Sequence, residues 1–439
     1  MKYSFYNSII IVNEKKYLYN SFSGALIGLD DKTSEKLRNA DTNEKFDESC
    51  FLDDELYTLK KCSVIVPDEL NEIEKYLEIK KAKIENDKIF RLTIAPTLNC
   101  NFRCHYCFEE HQNKKMSAEV QDTLCKWIKQ ELTDNNYSAL SVTWFGGEPL
   151  MCTDTIIDLS ARFLRICDQL RINYFSSIIT NGYLLNSIDA KDFIAKCKIN
   201  TMQITIDGTE EIHNKRRILY KSNIGTYNEI IKGINSISSC DCKIKIRINL
   251  DKANNHIIKE TCNQLKENIV DKHNVYPYLA KLFCMDDLNA GLEDKLLHNE
   301  EYIQAAIGFS NFAKEAGFNV SEKVFIPKLK IWFCPAPYGH SKVIDPDGYI
   351  YYCWNDIGIK EYSAGSIFME ENEEFKKQAA LWKKYAYEFH EDCIKCKSFV
   401  TCAGGCAREK VRADKNYSCD DYSICSDMLV KNYIASIEP

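Results

Sequence analysis

Three closely spaced cysteines are the residues of this sequence best suited to chemistry. They form the loop Cys100-x3-Cys104-x2-Cys107, directly after a predicted strand. Three thiolates leave one iron of a four-iron cluster without a protein ligand, because each iron takes one. That iron can then bind a small molecule through nitrogen and oxygen. The alternatives are a zinc site completed by His105, or three thiols that lie together by coincidence.

The cysteine content and the net charge of the chain indicate the cellular compartment of the protein and the partners it does not bind. The 439-residue chain has 21 cysteines and a net charge of -7, which gives no electrostatic case for nucleic acid or an anionic membrane. It shows neither an apolar run of membrane-spanning length nor a secretory h-region, so we expect a protein of the reducing cytoplasm. Disulfides do not persist there. Clustered cysteines therefore indicate metal or redox chemistry, and scattered ones indicate small buried hydrophobic residues.

The loop resembles that of the radical S-adenosylmethionine (SAM) superfamily, which has an aromatic residue, here Tyr106, before the last cysteine. The resemblance covers about residues 89 to 285. It implies a partial (β/α)6 barrel, a [4Fe–4S] cluster on the three cysteines, and reductive cleavage of SAM to a 5′-deoxyadenosyl radical that abstracts a substrate hydrogen. After the second predicted strand, Gly146-Gly147-Glu148 resembles the family's GGE motif, which binds the methionine amino group.

Further positions of this region resemble cofactor contacts. The fourth predicted strand ends in a Thr-Ile-Asp-Gly run, in which Thr205 matches the hydroxyl residue that contacts the cofactor. Arg217 best matches the arginine that pairs with the methionine carboxylate; Arg216 and a solvated charge pair are the alternatives. Arg247 and Asn249 alternate with apolar residues on the fifth strand. Both could point into the barrel as cofactor or substrate ligands, or be buried structural polar residues.

The C-terminal cysteines have their own spacing, which resembles the SPASM extension of peptide-modifying radical enzymes and its two auxiliary iron–sulfur clusters. The resemblance implies a first C-terminal set, made of Cys334, Cys353 and Cys406. It also implies a second C-terminal set, made of Cys393, Cys396, Cys402 and one downstream cysteine. Cys425 fits the family's distance for that last ligand better than Cys419 does. With the first loop, this predicts three [4Fe–4S] clusters; two zinc knuckles are the alternative.

The first C-terminal set is one cysteine short of four. Some relatives have another cysteine near the position of Cys334, but the nearest one upstream here is Cys284. Either Cys284 folds back, or an open iron remains that could bind a substrate thiolate. Trp354 follows Cys353 at the place where sulfatase-maturing members of the family use an acid as a base. The sequence does not identify a catalytic base.

The elements that must position these residues alternate between strands and helices. Strands are predicted at Arg91–Pro96, Ser141–Phe145, Tyr174–Thr180, Thr201–Ile206, Lys243–Leu250 and Val275–Phe283. Helices are predicted near Ala118–Leu132, Asp154–Leu170, Ser187–Lys196, Tyr227–Ser236 and Ile257–Glu267. This alternation predicts an α/β fold with a parallel sheet, in which chemistry sits at the carboxyl ends of the strands.

Three domains follow from these patterns: residues 1–88, a radical SAM partial barrel at 89–325, and a cysteine-rich iron–sulfur SPASM domain at 326–439. The first has three short strands and then helices, a winged-helix-like order that resembles the peptide-recognition domain of maturases of ribosomally made peptides. Such a domain would bind a leader peptide as an added strand. A structural cap or a dimerisation element is the alternative.

The resemblances together predict a radical SAM peptide maturase that installs a thioether or carbon–carbon crosslink. Its partners would be a precursor peptide with a leader and an external electron donor of flavodoxin or ferredoxin type. The alternatives are an anaerobic sulfatase-maturing enzyme and, outside the enzymes, a zinc-ribbon binding protein.

Overall fold

The computed structural model describes residues 1–42, 46–285, 291–320, 326–369, 372–412 and 419–438. The chain divides into two compact units. One comprises Met1–Asp87, Glu322–Cys334 and Tyr387–Pro439, and the other comprises Lys88–Ser321 and Pro335–Ala386. The region predicted as the SPASM domain, 326–439, contributes to both units, and the division into three domains stays a prediction.

The described part of residues 1–87 contains short strands and three α-helices. The strands are β1 (Lys2–Tyr3), β2 (Asn7–Val12), β3 (Lys15–Asn20), β4 (Ala25–Leu29) and β5 (Ile65–Val66). The helices are α1 (Asp31–Thr42), α2 (Asp53–Lys61) and α3 (Glu72–Glu85). β2, β3 and β4 form an antiparallel sheet in that order, and β1 pairs with β5. The turn between β2 and β3 uses Asn13 and Glu14 at positive φ, the geometry of a tight hairpin. The winged-helix likeness stays a prediction.

The next segment alternates strands and helices as predicted. Its elements are β6 (Ile89–Ile94), β7 (Phe102–Cys104), α4 (Ala118–Asp134), β8 (Ala139–Trp144), α5 (Thr153–Leu170), β9 (Asn173–Thr180), α6 (Ala190–Cys197), β10 (Ile199–Thr205), α7 (Glu210–Arg216), β11 (Arg217–Leu219), α8 (Tyr227–Ile237), β12 (Lys243–Leu250), α9 (Ile258–Asn268), β13 (Val275–Lys281) and α10 (Asn299–Glu315).

The C-terminal part adds short elements. They are β14 (Ser341–Ile344), β15 (Tyr349–Tyr351), β16 (Gly365–Ser366), α11 (Glu373–Tyr387), α12 (Glu391–Ile394), α13 (Phe399–Cys402), α14 (Ala407–Arg412), α15 (Asp421–Ile424) and α16 (Ser426–Ile437). No helix in the described ranges has the length and apolar character that a membrane span needs.

One mostly parallel sheet dominates the second unit. In the part of the chain that is described, its strand order is β13-β12-β10-β9-β8-β6-β14-β15-β16. β6, β8, β9, β10, β12 and β13 are parallel, as predicted. We did not predict β14, which pairs in parallel with β6, or β15 and β16, which continue the sheet with antiparallel pairings. The carboxyl ends of the six parallel strands meet at one edge. The residues that follow those ends are therefore gathered together.

Alternating apolar residues explain the central strands. On β12, Ile244, Ile246 and Ile248 are buried on one side, between more exposed lysines and an arginine. Trp144 at the end of β8 is fully buried and stacks on Phe163 of α5, with ring centroids 6.1 Å apart. This packing fixes α5 against the sheet and holds the end of β8 in place, where the glycine-rich turn begins.

Candidate functional site

A cavity of about 260 Å³ lies at the carboxyl ends of the parallel strands. It gathers most of the cofactor-binding and loop residues that the sequence predicts. Those that line it are Cys100, Cys104, Tyr106, Cys107, Gly146, Gly147, Thr205, Arg217, Arg247 and Asn249. Residues that are far apart in the sequence thus share one site, and Glu148 is the one predicted member that does not line it.

The three cysteines of the loop face this cavity in a largely buried environment. Burial raises the pKa of each thiol, for Cys107 to about 12, and a secondary effect of the Arg217 charge opposes the rise at Cys104 and Cys107. The loop is held by a two-stranded antiparallel pairing in which Cys104 of β7 lies opposite Arg217 of β11. Three thiols that converge on one cavity are a donor set suited to an iron–sulfur cluster.

The two glycines pack against the backbone that leads into the cysteine loop. A Cβ at Gly146, whose φ is +106°, would lie 2.2 Å from the Thr97 carbonyl oxygen, and one at Gly147 would lie 2.3 Å from the Asn99 carbonyl oxygen. The Gly147 N–H donates to the Thr97 carbonyl at 3.2 Å. No side chain fits in either place. The glycine turn therefore fixes the loop as well as lining the cavity.

Glu148 is fully buried and bonded to the protein. One carboxylate oxygen accepts hydrogen bonds from the Thr180 hydroxyl at 2.6 Å and the Leu150 N–H at 2.9 Å. The other accepts from the Asn181 N–H at 2.7 Å. Burial raises the pKa of Glu148, and these hydrogen bonds oppose the rise. The carboxylate ties the turn after β8 to the end of β9.

Tyr106 is the centre of a polar network beside the thiols. Its hydroxyl accepts from Arg217 Nη1 at 2.7 Å and from Asn249 Nδ2 at 3.1 Å, and it donates to the Asp207 carboxylate. Arg247 Nε in turn donates to Asn249 Oδ1 at 2.8 Å. Burial raises the pKa of Tyr106 well above its usual value. The phenol therefore stays protonated and orients the arginine and the asparagine.

The structure separates the two candidate arginines. Arg216 forms a buried bidentate pair with Asp251, with Nη1–oxygen distances of 2.8 and 3.0 Å, and it does not line the cavity. Arg217 does line it. Among the described residues, no group hydrogen-bonds to Arg217 Nε, although the atom is buried. An unused buried donor on the cavity wall fits an anionic group of a bound molecule.

Glu109 is a cavity residue that the sequence reasoning missed. Its Oε2 is buried and has no hydrogen-bond partner in the described ranges. Burial raises the pKa of Glu109 to about 8, and the Glu148 charge adds to the rise. An acid two positions after the last loop cysteine was the available sequence signal. Glu109 Oε2 and Arg217 Nε are thus an acceptor and a donor on the cavity wall that the protein does not use. They fit a ligand that carries both an amino and a carboxylate group, as the methionine end of SAM does.

The second C-terminal set lies within one unit. Lys410, Cys402, Cys419 and Cys396 each affect the pKa of Cys393, and the charges of Cys402 and Cys396 raise the pKa of Cys419. Burial is the largest cause of the raised pKa in both thiols. Cys419 is thus electrically coupled to the other members. Cys425 is buried at the start of α16.

The first C-terminal set is divided between the units. Cys334 and Cys406 belong to one unit, and Cys353, which follows β15, belongs to the other. Cys284 donates its thiol hydrogen to the Glu293 carboxylate at 3.3 Å. The ligand assignments for this set stay predictions.

Comparison with known proteins identifies the domain around the cavity. Residues 94–265 match the family model described as Radical SAM superfamily. The chain is 23% identical over 364 residues to a cysteine-type anaerobic sulfatase-maturating enzyme of Clostridium perfringens, covering 75% of this chain and 94% of that enzyme. It is 24% identical over 400 residues to the radical SAM cyclopropyl synthase TigE of Paramaledivibacter caminithermalis, covering 82% of this chain and 79% of that enzyme.

Among solved structures, SuiB of Streptococcus suis has a similar fold. Its complex with the precursor peptide SuiA aligns with a TM-score of 0.52 at 16% identity, covering 96% of this chain and 99% of SuiB. Its complex with S-adenosylmethionine aligns with a TM-score of 0.51. This chain therefore contains a radical SAM domain and resembles radical SAM maturases over most of its length.

Proposed function

We propose that this chain is a radical SAM peptide maturase that installs a thioether or carbon–carbon crosslink in a ribosomally made precursor peptide. The observation that carries the proposal is that three thiols line one cavity. Arg217 and Glu109 line the same cavity, and each has a buried polar atom without a hydrogen-bond partner in the described ranges. SAM, when bound and reduced there, supplies a 5′-deoxyadenosyl radical that abstracts a hydrogen from the peptide. The six parallel strands would serve as the partial (β/α)6 barrel.

The cavity residues predicted from the sequence then have the following roles. Cys100, Cys104 and Cys107 hold the [4Fe–4S] cluster, and Arg217 binds the methionine carboxylate. The remaining predicted contacts, from the glycine turn and the strand ends, surround the rest of SAM: Tyr106, Gly146, Gly147, Thr205, Arg247 and Asn249. Glu148 acts indirectly, because its carboxylate holds the glycine turn in place.

The two C-terminal sets would hold auxiliary [4Fe–4S] clusters that accept the leftover electron or bind a substrate thiolate. For the last ligand of the second set, sequence spacing supports Cys425, and Cys419 is the alternative. Single Cys419→Ala and Cys425→Ala variants separate them. We expect the variant that removes a ligand to lose iron and visible absorbance from one cluster, and the other variant to keep both.

Residues 1–88 would be a winged-helix-like domain that binds the leader. β4 is an end strand of the three-stranded sheet, so a leader could be added as a fourth strand. Deletion of this segment is a poor test, because Tyr6 and Tyr76 share a hydrophobic core with Phe399 and Val400. Hydrogen exchange on the intact chain is better. We expect the synthetic leader to slow exchange of β4 amides; unchanged exchange throughout residues 1–88 would contradict leader binding there.

The second candidate is sulfatase maturation, which the similarity to the Clostridium perfringens enzyme favours. Trp354, in the position of the acid used as a base, disfavours it. The reconstituted chain should be incubated with SAM, a reductant and, in separate reactions, a candidate precursor peptide from a short gene found beside its own and a sulfatase peptide. We expect hydrogen mass loss only from the precursor. Formylglycine in the sulfatase peptide, with an unchanged precursor, would reverse this assignment.

Metal content tests the non-enzyme alternative. Three four-iron clusters would load roughly a dozen irons per chain on anaerobic reconstitution. Stoichiometric zinc without visible absorbance would instead indicate a zinc-ribbon protein.

A further inference from the structure

A short antiparallel ribbon made of β7 and β11 includes the middle of the cysteine loop, and several of its side chains are exposed. In its register Cys104 lies opposite Arg217, and Arg103 lies opposite Ile218. Beyond β11, the Tyr220 N–H donates to the Asn101 carbonyl at 2.7 Å. The ribbon is therefore bonded to the segment between the first and second loop cysteines.

The exposed side of the ribbon combines apolar and cationic groups. Ile218 is 45% exposed, Tyr220 48% and Ile224 67%. The Arg103 guanidinium lies 3.9 Å from the centroid of the Tyr220 ring, and Lys221 Nζ lies 5.1 Å from it. A shallow depression of about 350 Å³ is lined by Arg103, Ile218, Tyr220 and Lys221, and Ile224 lies just beyond it in the sequence. An exposed apolar patch with a charged rim is typical of a protein interaction site.

The charge of the ribbon is opposite to that of the whole chain. Residues 101–107 and 217–225 contain no Asp or Glu, whereas the chain has a net charge of -7. In the described part of the chain, neither Arg103 nor Lys221 forms an ion pair with a carboxylate. Arg103 Nη1 donates instead to the carbonyl groups of Cys100 and Phe102, both at 2.7 Å. A local cationic surface on an acidic protein fits an acidic partner.

The position of this surface identifies the kind of partner. Arg103 is at once a surface residue of the ribbon and a hydrogen-bond donor to the backbone of Cys100, a cavity residue. We propose that the ribbon is the docking surface for an acidic one-electron carrier protein, which delivers its electron to the cluster of the cysteine loop. This inference rests on the proposed function, because it requires a cluster on Cys100, Cys104 and Cys107. In the transfer the carrier is oxidised by one electron, the cluster is reduced by one, and no covalent bond changes.

One charge-reversal variant and one variant that places a charge on the apolar patch test the docking surface. Lys221→Glu and Ile224→Asp alter exposed side chains that take no part in the cavity. Lys126→Glu is the matched control, since Lys126 is an exposed lysine on α4, away from the ribbon. The reconstituted holoprotein is mixed with reduced flavodoxin in a stopped-flow spectrometer, and oxidation of the flavin is followed. Binding of flavodoxin to each variant is measured separately by calorimetry.

We expect Lys221→Glu to slow electron transfer at low flavodoxin concentration and low salt by about fivefold or more. The dissociation constant for flavodoxin should rise in parallel, and both differences should shrink at high salt. Ile224→Asp should weaken binding with less dependence on salt. Lys126→Glu should match the unmodified chain. With dithionite as reductant, all the variants should cleave SAM at the unmodified rate.

The outcomes separate the two proposals. If the unmodified chain with its clusters does not cleave SAM even with dithionite, the proposed function fails. If dithionite supports cleavage, but flavodoxin neither binds nor donates, or Lys221→Glu behaves like Lys126→Glu, the docking surface is wrong and the proposed function stands. If Lys221→Glu weakens binding of the precursor peptide but not of flavodoxin, the ribbon is a peptide surface and the docking inference is likewise overturned.

Discussion

The most discriminating prediction concerns Glu148, because its hydrogen bonds indicate a structural role, whereas the family resemblance implies that it binds the methionine amino group. Glu148→Gln keeps the shape of the side chain and removes its charge. In the native structure the carboxylate accepts three hydrogen bonds, from the Thr180 hydroxyl, the Leu150 N–H and the Asn181 N–H. A glutamine keeps one acceptor oxygen. It turns an NH2 group toward a donor that then has no acceptor.

The size of the effect follows from these contacts. A hydrogen bond to a charged group contributes about 1.5–3 kcal/mol, and a buried donor left without a partner costs about 1–3 kcal/mol. The cost of burying the charge reduces this loss of stability, because burial raises the pKa of Glu148 despite the hydrogen bonds. The neutral amide of glutamine does not carry the free-energy cost of desolvating a buried charge. We therefore expect the free energy of unfolding to fall by about 2–3 kcal/mol, toward the lower end of what the lost contacts alone would give.

Two measurements on the same variant separate a structural role of Glu148 from a role in binding SAM. Urea unfolding of the reduced apo chain gives the stability, and equilibrium dialysis of the reconstituted chain gives the affinity for SAM. Glu110→Gln is the control: Glu110 is an exposed acid close to the same loop, and it should change neither quantity. If Glu148→Gln leaves the stability unchanged but abolishes SAM binding, the carboxylate faces the cofactor and our reasoning from the buried hydrogen bonds is refuted.

Three further variants test the packing around the site. Asp251→Asn should lower the free energy of unfolding by about 3 kcal/mol in urea, because it removes the closer of the two carboxylates that pair with the buried Arg216 and leaves only Asp207, 3.8 Å from Arg216 Nε; an unchanged midpoint would contradict this. His213 is fully buried, and burial lowers its pKa well below 6.5, so its contribution to stability is present above about pH 6.5 and declines below it by about 1.4 kcal/mol per pH unit. His213→Gln should therefore flatten the acid side of a stability–pH curve, and an equally steep curve would exclude this role. Gly147→Ala places a Cβ 2.3 Å from the Asn99 carbonyl oxygen and should reduce iron loading of the loop, measured by iron content; full loading would show that the turn can yield.

Strand and helix positions in the barrel region could be predicted closely because their periodicity is strong. The strand predicted at Lys243–Leu250 has those bounds in the structure, and the helix predicted at Ala118–Leu132 runs to Asp134. β14 was missed, since four residues between glycine- and proline-rich segments give no periodic pattern. Its place beside β6 depends on hydrogen bonds to a strand about 250 residues away, which no local pattern records.

The positions of most predicted site residues follow from residue type and strand order alone. Cysteines and glycines in turns after strand ends had to meet at one edge of a parallel sheet, and most of them line the cavity. Glu148 was different, because the direction of its carboxylate is set by donors on the next strand and not by its own motif. Glu109 was overlooked for a related reason. An acid in a loop is usually solvated, and only the tertiary structure shows that one of its oxygens is buried without a partner.

The unit that contains residues 1–87 shows why the N-terminal segment and the second C-terminal set should be considered together. Phe399 and Val400 lie between Cys396 and Cys402 in the sequence, and they pack with Tyr6 and Tyr76 in one core, against which Cys393 and Cys396 also pack. The rings of Tyr76 and Phe399 lie 5.3 Å apart in an edge-on contact. A cluster held by those cysteines would therefore be anchored on the same side chains that support the proposed leader-binding segment.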